Sequence, residues 1–449
     1  MAAVPLRIGR DEARPSIGNG RKFMWEAIRA NRRRSIVMLV VVATILLSLG
    51  AVIGLYFGPA YQAAEHYHSG AHETVWESNG INSTAGLVGA VIALGVFIVL
   101  WIVAVAGGDD ILLGSANARE IQHADAAQLC NIVEEMTIAA GLPKPPRVYI
   151  IDSDAPNAFS VGTPEKSVVA VTSGLLMHLN RDELQGVIGH EIGHIRNEDT
   201  RFMTLAGVMM GAIILIADGF GRMVFYSGSG QRRSSSRSSG NAQVILFLIA
   251  ILFAILAPIL AQLFYFACSR RREYLADASS ATFTRYPEGL ASALEKIERS
   301  AGLMTGVNRA VAPMYVVNPL EAAGTTFSLF STHPPTAARV RILRQMAGAG
   351  LGDYEKAYSK AQGKGLLGAV TLSDAAEVAP RSPSAAAEKE PLQKARAAVD
   401  LLHQANGFVF VPCACGLKLK LPPGCAGKTV RCPRCGTEHE VPSQEAPSE

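Results

Sequence analysis

The stretch His190-Glu191-Ile192-Gly193-His194 decides the fold of this chain, because it places two histidines four residues apart with a glutamate beside the first. Residues four apart share one face of an α-helix, so both imidazole rings can reach the same metal ion. Glu191 lies where a carboxylate can take a proton from an attacking water molecule. The spacing therefore predicts a hydrolase-type zinc site on a helix.

The residues around this stretch predict the helix that carries it. Asn180 is a good N-cap, and Glu183 three residues later completes a capping-box pattern. At about 100° per residue, the two histidines fall on one side of the helix, and four apolar residues gather on the other: Leu184, Ile188, Ile192 and Ile195. An apolar face towards a core and a histidine face towards a site is the arrangement that this chemistry requires.

A catalytic zinc ion needs a third protein ligand. The metzincin pattern has glycine and histidine at positions where this chain has Asn197 and Thr200, which excludes that class. Glu198 lies about 12 Å along the helix axis from the first histidine, too far to join both. The better candidate is Glu273, with Asp277 four residues later on the same predicted helix face, where it can orient a ligand. The alternative for Glu273 is an ordinary ion pair with a neighbouring arginine.

Two β-branched runs before the helix predict strands: Val148-Tyr149-Ile150-Ile151 and Ser167-Val168-Val169-Ala170-Val171-Thr172. A small sheet directly before a zinc helix is typical of an α+β zincin-like fold, and a glutamate as third ligand makes it a gluzincin. An edge strand of such a sheet can pair with an extended peptide. The segment between the runs, with Asn157-Ala158-Phe159, is the candidate for that edge. The alternative is that these three residues form only a turn with a core aromatic.

The composition predicts a protein that is partly embedded in a membrane. The 449 residues are 49% hydrophobic and 18% charged, too apolar for a wholly soluble protein and too charged for a channel. Residues 35–57 and 85–106 form apolar runs long enough to cross a bilayer. Residues 1–34 carry nine Lys or Arg, whereas residues 58–84 carry none. The positive-inside rule therefore places the basic N-terminus and the chain after the second run in the cytoplasm.

A second apolar pair lies within residues 203–266 and interrupts the predicted metallopeptidase domain, residues 107–345. The two runs of this pair predict transmembrane helices 3 and 4, for about four in all. The connection between them contains several arginines, which the positive-inside rule would keep in the cytoplasm. The alternative is therefore a hairpin that packs on the soluble domain without fully crossing.

Taken together, these motifs resemble those of the HtpX-type integral-membrane zinc metallopeptidases, which are relatives of the CAAX prenyl proteases. The resemblance covers about residues 30–345, includes the order of the four apolar runs, and rests on four motifs: residues 190–197, residues 269–277, Asn157-Ala158-Phe159 and Ser331-Thr332-His333-Pro334-Pro335. These motifs are specific to the family.

The resemblance implies that His190, His194 and Glu273 bind zinc. It also implies that Glu191 is the general base and acid. Asn157 to Phe159 would lie on the substrate-binding edge, and Asp199 would support the catalytic helix. His333 would approach the site and stabilise the oxyanion. From the residues alone, His333 is equally a residue that precedes a helix beginning at the two prolines.

The resemblance also implies a function, that of a membrane-bound zinc endopeptidase that cleaves misfolded or surplus membrane proteins at the cytoplasmic face. The protein would be a multi-pass protein of the cell's inner (plasma) membrane, with the bilayer and unfolded polypeptides as its partners. Two alternatives stay open. The first is CAAX-type processing of prenylated peptides, against which four apolar runs argue. The second is a non-catalytic membrane scaffold, against which the intact H-E-x-x-H argues.

The C-terminal part departs from the family. Residues 346–405 are rich in Gly, Ala, Ser, Pro and charge, and predict a linker with short helical patches at best. Residues 406–442 predict a small β zinc ribbon, because paired cysteines lie on two turns with short strands between them. A second, structural zinc ion would bind its four ligands: Cys413, Cys415, Cys432 and Cys435. Cys425 is the spare cysteine, with His439 as a substitute ligand. The ribbon would dock substrates or a protein partner, and its Lys and Arg support nucleic acid only weakly.

Overall fold

The computed structural model describes most of the predicted peptidase domain and tail. The described residues are 25–57, 63–68, 71–76, 83–200, 270–300, 314–317, 333–373, 375–384 and 391–442, with six isolated positions between 203 and 259. The N-terminal residues up to 24 and nearly all of the apolar pair 203–266 lie outside this set. Transmembrane helices 3 and 4 therefore stay a prediction.

Two long helices form the N-terminal part, α1 (Trp25–Phe57) and α2 (Ser83–Ser115). In α2 the span Thr84–Val103 is long and apolar enough to cross a membrane, and α1 contains the shorter apolar stretch Leu39–Leu55. Among the described residues no further helix meets this criterion. Both helices are longer than the predicted apolar runs, because the helical backbone continues into the polar residues that flank them.

α1 and α2 pack along a seam of small residues. A Cβ added to Gly89 would lie 2.2 Å from the carbonyl oxygen of Gly50, and one added to Gly54 would lie 2.2 Å from that of Ala85. The missing side chains let the two backbones approach closely, as in pairs of membrane helices. Two short antiparallel strands lie between the helices in the chain: β1 (Ala63–His68) and β2 (Ala71–Trp76).

A four-stranded sheet begins the peptidase domain, with the strand order β3-β4-β6-β5. Its strands are β3 (Arg119–Glu120), β4 (Arg147–Ile151), β5 (Ala158–Thr163) and β6 (Lys166–Thr172). The two predicted strands, β4 and β6, run parallel, with Val148 opposite Val169. β5 pairs antiparallel with β6 and forms an edge of the described sheet. α3 (Ala127–Ala140) precedes β4 and ends at Gly141, whose φ of 65° closes the last turn.

The predicted capping box begins the catalytic helix. After the short α4 (Ser173–His178), α5 covers Arg181–Arg196. The Asn180 side chain accepts the Glu183 N–H at 2.9 Å, and the Glu183 carboxylate accepts the Asn180 N–H at 2.8 Å. Two of the four N–H groups at the helix start are satisfied in this way. The four predicted apolar residues of α5 are all buried in the main core.

The helix of the two histidines packs directly against two later helices of the described residues, α6 (described over residues 270–284) and α7 (Pro287–Arg299). A Cβ on Gly193 would lie 2.9 Å from the Cβ of Ser279, and one on Gly186 would lie 2.6 Å from the backbone nitrogen of Leu290. These close approaches bring α6, which carries Glu273, beside the histidine face of α5.

The prediction that residues 346–405 form a linker is wrong for most of that segment. After α8 (Thr336–Arg344), the chain forms α9 (Leu351–Gln362), the short α10 (Ala369–Ser373) and α11 (Pro391–Ala405). Tyr354 and Leu401 are buried in the same core as the catalytic helix. The composition concealed these helices. Alanine is a good helix former, and a few widely spaced Leu and Tyr residues are enough to give a helix an apolar face.

The C-terminal segment folds as two small antiparallel hairpins, as the zinc-ribbon prediction requires. The strands are β7 (Val409–Pro412), β8 (Lys418–Leu421), β9 (Thr429–Arg431) and β10 (Glu438–Glu440). The ribbon lies against α11, where Asp400 is 2.6 Å from the ammonium of Lys420.

Candidate active site

Three side chains from two helices bring their donor atoms together as zinc ligands do. The Nε2 atoms of His190 and His194 are 3.1 Å apart, and the Glu273 carboxylate oxygens lie 3.6 and 3.4 Å from them. Tetrahedral zinc with bonds of about 2.0–2.2 Å to N and O sets its ligand atoms roughly 3.3–3.6 Å apart. The predicted ligand set therefore fits zinc in both donor chemistry and spacing.

The other nitrogen of each histidine faces a buried carboxylate. Nδ1 of His190 lies 2.9 Å from Oδ1 of Asp277, and Nδ1 of His194 lies 3.2 Å from Oδ2 of Asp199. An Nδ1–H that donates to its carboxylate leaves the Nε2 lone pair of that histidine for a metal ion. The two Nε2 atoms, 3.1 Å apart, could then both bind one metal ion. The arrangement fits a metal ion, for which Asp277 would orient His190.

The electrostatics of the site also favour positive charge. Burial lowers the pKa of His194, but Asp199 and Glu273 outweigh it and raise that pKa to about 10. Burial raises the pKa of Glu273, and the neighbouring histidines, His333 foremost, bring it well below its ordinary value. A proton and a metal ion compete for the same lone pairs, so acid would displace the metal.

Glu191 lies at a small cavity beside the ligands. Its side chain is buried, and within the described residues its Oε2 has no hydrogen-bond partner. The cavity has a volume of about 20 Å³ and is also lined by Ser160, Thr200, Met203 and Met314. That is room for about one water molecule. A buried carboxylate oxygen that faces such a space can act on a single water.

His333 approaches the site from the side of Glu273. Its Nδ1 lies 3.0 Å from Oε2 of Glu273, and the side chain is buried. His333 directly precedes Pro334, Pro335 and helix α8. It therefore both approaches the site and stands just before a helix. Stabilisation of an oxyanion by His333 stays a prediction.

The predicted substrate-binding residues lie at the start of the edge strand β5, but they are covered. The N–H of Val316 donates to the carbonyl of Ala158 at 3.0 Å, and the Asn157 side chain donates to the carbonyl of Val317 at 2.7 Å. The ring of Phe159 packs edge-on against that of Tyr315. Ala158 and Phe159 lie in the strand and Asn157 directly precedes it, so the segment is not only a turn. Its contact with substrate stays a prediction.

The comparison with known families decides which peptidase class this geometry belongs to. The profile of peptidase family M48 matches residues 123–347, which include the helix of the two histidines, Glu273 and His333. The chain belongs to peptidase family M48. It is an HtpX-type metalloprotease, and the M48 peptidases are zinc-dependent.

Relatives of this M48 peptidase cover much of its length. The chain is 46% identical over 262 residues to a protease HtpX homolog of Dictyoglomus turgidum, which covers 58% of this chain and 83% of the relative. It is 38% identical over 325 residues to a protease HtpX homolog of Streptococcus agalactiae, which covers 72% of this chain and 100% of the relative. Among solved structures, S. mikatae Ste24p is matched at 19% identity with a TM-score of 0.36, over 56% of this chain and 57% of that one.

Two buried arginines of the M48 site are absent from the sequence prediction. Nε of Arg272 lies 3.6 Å from Asp199, and the guanidinium of Arg339 forms a fork on Asp277. One signal pointed to Arg339. It occupies the apolar face of α8 together with Ile342 and Leu343, where a charged side chain needs a buried partner. Burial would raise the pKa of Asp277, and Arg339 holds it below its ordinary value.

The C-terminal ribbon of this M48 peptidase holds the second predicted ligand set. Its four ligand sulfurs lie within 4.8 Å of one another: Cys413, Cys415, Cys432 and Cys435. Each cysteine pair lies on a turn that ends in a glycine of positive φ, Gly416 at 83° and Gly436 at 78°. Among the described residues, Cys425 and His439 are not part of this group. Zinc with bonds of about 2.3 Å to sulfur fits a cluster of this size.

Proposed function

We propose that this metalloprotease is an integral-membrane zinc endopeptidase that cleaves misfolded or surplus membrane proteins at the cytoplasmic face. The observation that carries the proposal is the path of α2. Leu112 and Leu113, near the end of α2, pack under the sheet in one cluster with Phe159 of the edge strand. They follow the apolar span, which ends at Val103, by about 14–15 Å of continuous helix. The sheet of the active site is thus joined to the membrane helix without a flexible linker.

The proposed orientation rests on the distribution of charge. The nine Lys and Arg of residues 1–34 would stay in the cytoplasm, and residues 58–84, which have none, would cross to the other side. Helix α2 then returns the chain to the cytoplasm, and the peptidase domain with it. The location we propose is the inner (plasma) membrane of the cell, with several passes.

The chemistry assigns a role to each residue of the centre. His190, His194 and Glu273 would hold the zinc, which when bound polarises the scissile carbonyl as a Lewis acid. Glu191, which lines the cavity and has one oxygen without a hydrogen-bond partner among the described residues, takes a proton from the attacking water and delivers it to the leaving amine. His333 would stabilise the oxyanion, the role proposed for it from the sequence.

The shape of the cleft favours extended and flexible substrates. A cavity with room for one water admits no peptide, and the edge of β5 at Ala158 is paired with Val316. A substrate that adds a strand to this edge must replace that pairing with its own backbone hydrogen bonds. An unfolded polypeptide can supply them, whereas a folded domain has its backbone groups already paired. Unfolded membrane proteins meet this requirement next to the membrane.

The ribbon would bind a second, structural zinc ion, which gives two ions per chain. Its four sulfurs and two glycine turns support this count. Its position on α11, through Asp400 and Lys420, leaves its other faces for a protein partner or a substrate.

The decisive experiment compares the full-length protein with Glu191→Gln on an unfolded membrane protein in lipid vesicles. We expect cleavage by the wild type and a loss of about 100- to 10,000-fold in the variant, because it lacks the base. Glu198→Gln, at an exposed position just after the same helix, is the matched control and should cleave normally. Equal cleavage by wild type and Glu191→Gln would disprove the peptidase assignment. Cleavage of prenylated peptides alone would establish the CAAX-type alternative.

A further inference from the structure

Two arginines are the largest fully buried side chains of the described chain, and both lie behind the zinc ligands. Arg272 contacts Asp199, which holds His194, and Arg339 contacts Asp277, which holds His190. A buried guanidinium is costly unless its donors are used, so its position needs a reason. Behind each of the two histidines, therefore, a carboxylate contacts the imidazole and an arginine contacts that carboxylate.

Arg339 has the more complete set of contacts. Its Nε donates to Oδ2 of Asp277 at 2.9 Å and its Nη2 to Oδ1 at 2.6 Å, which forms a two-pronged fork. Its Nη1 donates to the carbonyl of Val316 at 3.2 Å and lies 3.4 Å from the ligand Glu273. Its Nη2 also lies 3.3 Å from Nδ1 of His190 itself. Arg339 thus contacts the carboxylate of Asp277, two predicted ligands and the segment beside the edge strand.

The oxygen that holds His190 is also an oxygen that Arg339 holds. Oδ1 of Asp277 lies 2.9 Å from Nδ1 of His190 and 2.6 Å from Nη2 of Arg339. The fork fixes both oxygens of Asp277, so the carboxylate cannot rotate about its Cβ–Cγ bond. The imidazole of His190 therefore meets an acceptor in a single position, which fixes the direction of its Nε2 lone pair.

Both arginines contribute positive charge to a centre that is rich in carboxylates. Four buried carboxylates surround the ligand site: Glu191, Asp199, Glu273 and Asp277. Arg272 lies 3.6 Å from Asp199 and Arg339 lies 2.6 Å from Asp277, so each guanidinium stands beside one of these carboxylates. Without Arg339, the charge of Asp277 would lose its guanidinium partner in a buried medium of low dielectric constant.

We propose that Arg339 is a positioning residue of the metal centre, which fixes Asp277 by its two-pronged fork and through it orients His190 for the metal. The proposal rests on the metal site of the proposed function and is independent of the substrate. It predicts that the geometry of the fork matters and not only its charge. A lysine ammonium is a single point donor and cannot occupy both carboxylate oxygens in one plane.

The test measures the dissociation constant of Co²⁺ for full-length protein in detergent. Cobalt is the probe because the thiolates of the ribbon give charge-transfer absorption that the His-His-Glu set lacks, so the two sites are read separately. We expect Arg339→Met and Arg339→Lys each to raise the dissociation constant of the peptidase site about 10- to 100-fold. The ribbon site should be unchanged. Arg344→Met is the matched control, since Arg344 lies on the same helix but pairs with Glu288 and Glu295.

A double-mutant cycle separates positioning from general destabilisation. If Arg339 acts through Asp277, the variant with both Arg339→Met and Asp277→Asn binds Co²⁺ about as weakly as the weaker single variant. The proposal would be overturned if the two substitutions weakened Co²⁺ binding independently, so that their fold-changes multiplied in the double variant. Normal Co²⁺ binding by Arg339→Lys would overturn it too. So would normal binding by a folded Arg339→Met. Arg339→Lys keeps the buried charge, so it gives an answer even if Arg339→Met does not fold. Failure of the wild type to bind Co²⁺ at this site would instead refute the proposed function itself.

Discussion

Nδ1 of His194 lies 3.2 Å from Oδ2 of Asp199, and Asp199 follows the end of the helix that carries the histidine. The chain reaches this position through Glu198, whose φ of 57° lies in the left-handed region. This turn folds the carboxylate back towards the histidine. The second metal histidine is therefore oriented by a contact within one short segment, whereas His190 depends on Asp277 of another helix.

Asp199→Asn should weaken metal binding while the protein stays folded. The amide can accept the Nδ1 proton but carries no charge, so His194 becomes a less basic ligand. We expect zinc affinity to fall roughly 10-fold or more, as measured by competition with a chelator. Zinc affinity equal to that of the wild type would show that the contact has no influence on the metal.

Removal of the ribbon site should leave the peptidase active. In Cys413→Ser plus Cys432→Ser, two of four ligands are lost, and the zinc content should fall from two ions per chain to one. Metal analysis of the purified variant and cleavage of an unfolded substrate measure the two effects. Retention of both ions would mean that the cysteines do not form a metal site.

The seam between α1 and α2 should not accept a large side chain. Gly89→Leu places side-chain atoms where the Gly50 carbonyl lies, and overpacking of this kind costs about 1–3 kcal/mol or more. Gly95→Leu on the same helix is the control, because an added Cβ there meets no atom within 4 Å. Thermal unfolding in detergent should show a lower Tm for Gly89→Leu alone. Equal Tm values would argue against this helix packing.

Helix α9 should contribute to the stability of the catalytic core. Tyr354 is fully buried, so Tyr354→Ala should destabilise the protein by about 3–5 kcal/mol, as for other large aromatic side chains. Lys356→Ala on the exposed face of α9 should have little effect. Denaturant unfolding of both variants measures the difference. Equal free energies of unfolding for the two variants would indicate that this segment is a linker and not part of the core.

The stability that the contact between the ribbon and α11 contributes should change with pH only at acidic pH. Burial would raise the pKa of Asp400, and Lys420 and Lys418 hold it below its ordinary value. A lowered pKa in the folded state means that the stabilisation is complete above about pH 4 to 5 and is lost as the pH falls through the folded pKa. Because these side chains are partly exposed, the effect is at most about 1 kcal/mol. Wild type and Asp400→Asn should therefore differ in Tm at pH 7 and converge in acid.

The local parts of this protein could be predicted from the sequence. The capping box at Asn180 and Glu183 and the histidine face of α5 depend on residues within a few turns of each other, so spacing alone specifies them. The strands β4 and β6 and the glycine turns of the ribbon are local in the same sense. Glu273 was found because a zinc site requires a third ligand, and the family resemblance supplied the motif that contains it.

Other features depend on contacts between distant segments, and the sequence did not show which segments meet. The composition of α9 resembles that of a linker, and only its packing against the catalytic core shows that Tyr354 is part of that core. The pairing of Val316 with Ala158, and the fork of Arg339 on Asp277, join segments that no periodicity connects. Helical spacing predicted His190 and His194 as metal ligands, and the family resemblance supplied Glu273. The tertiary structure decided what orients them, because burial and charge compensation arise only when the helices pack together.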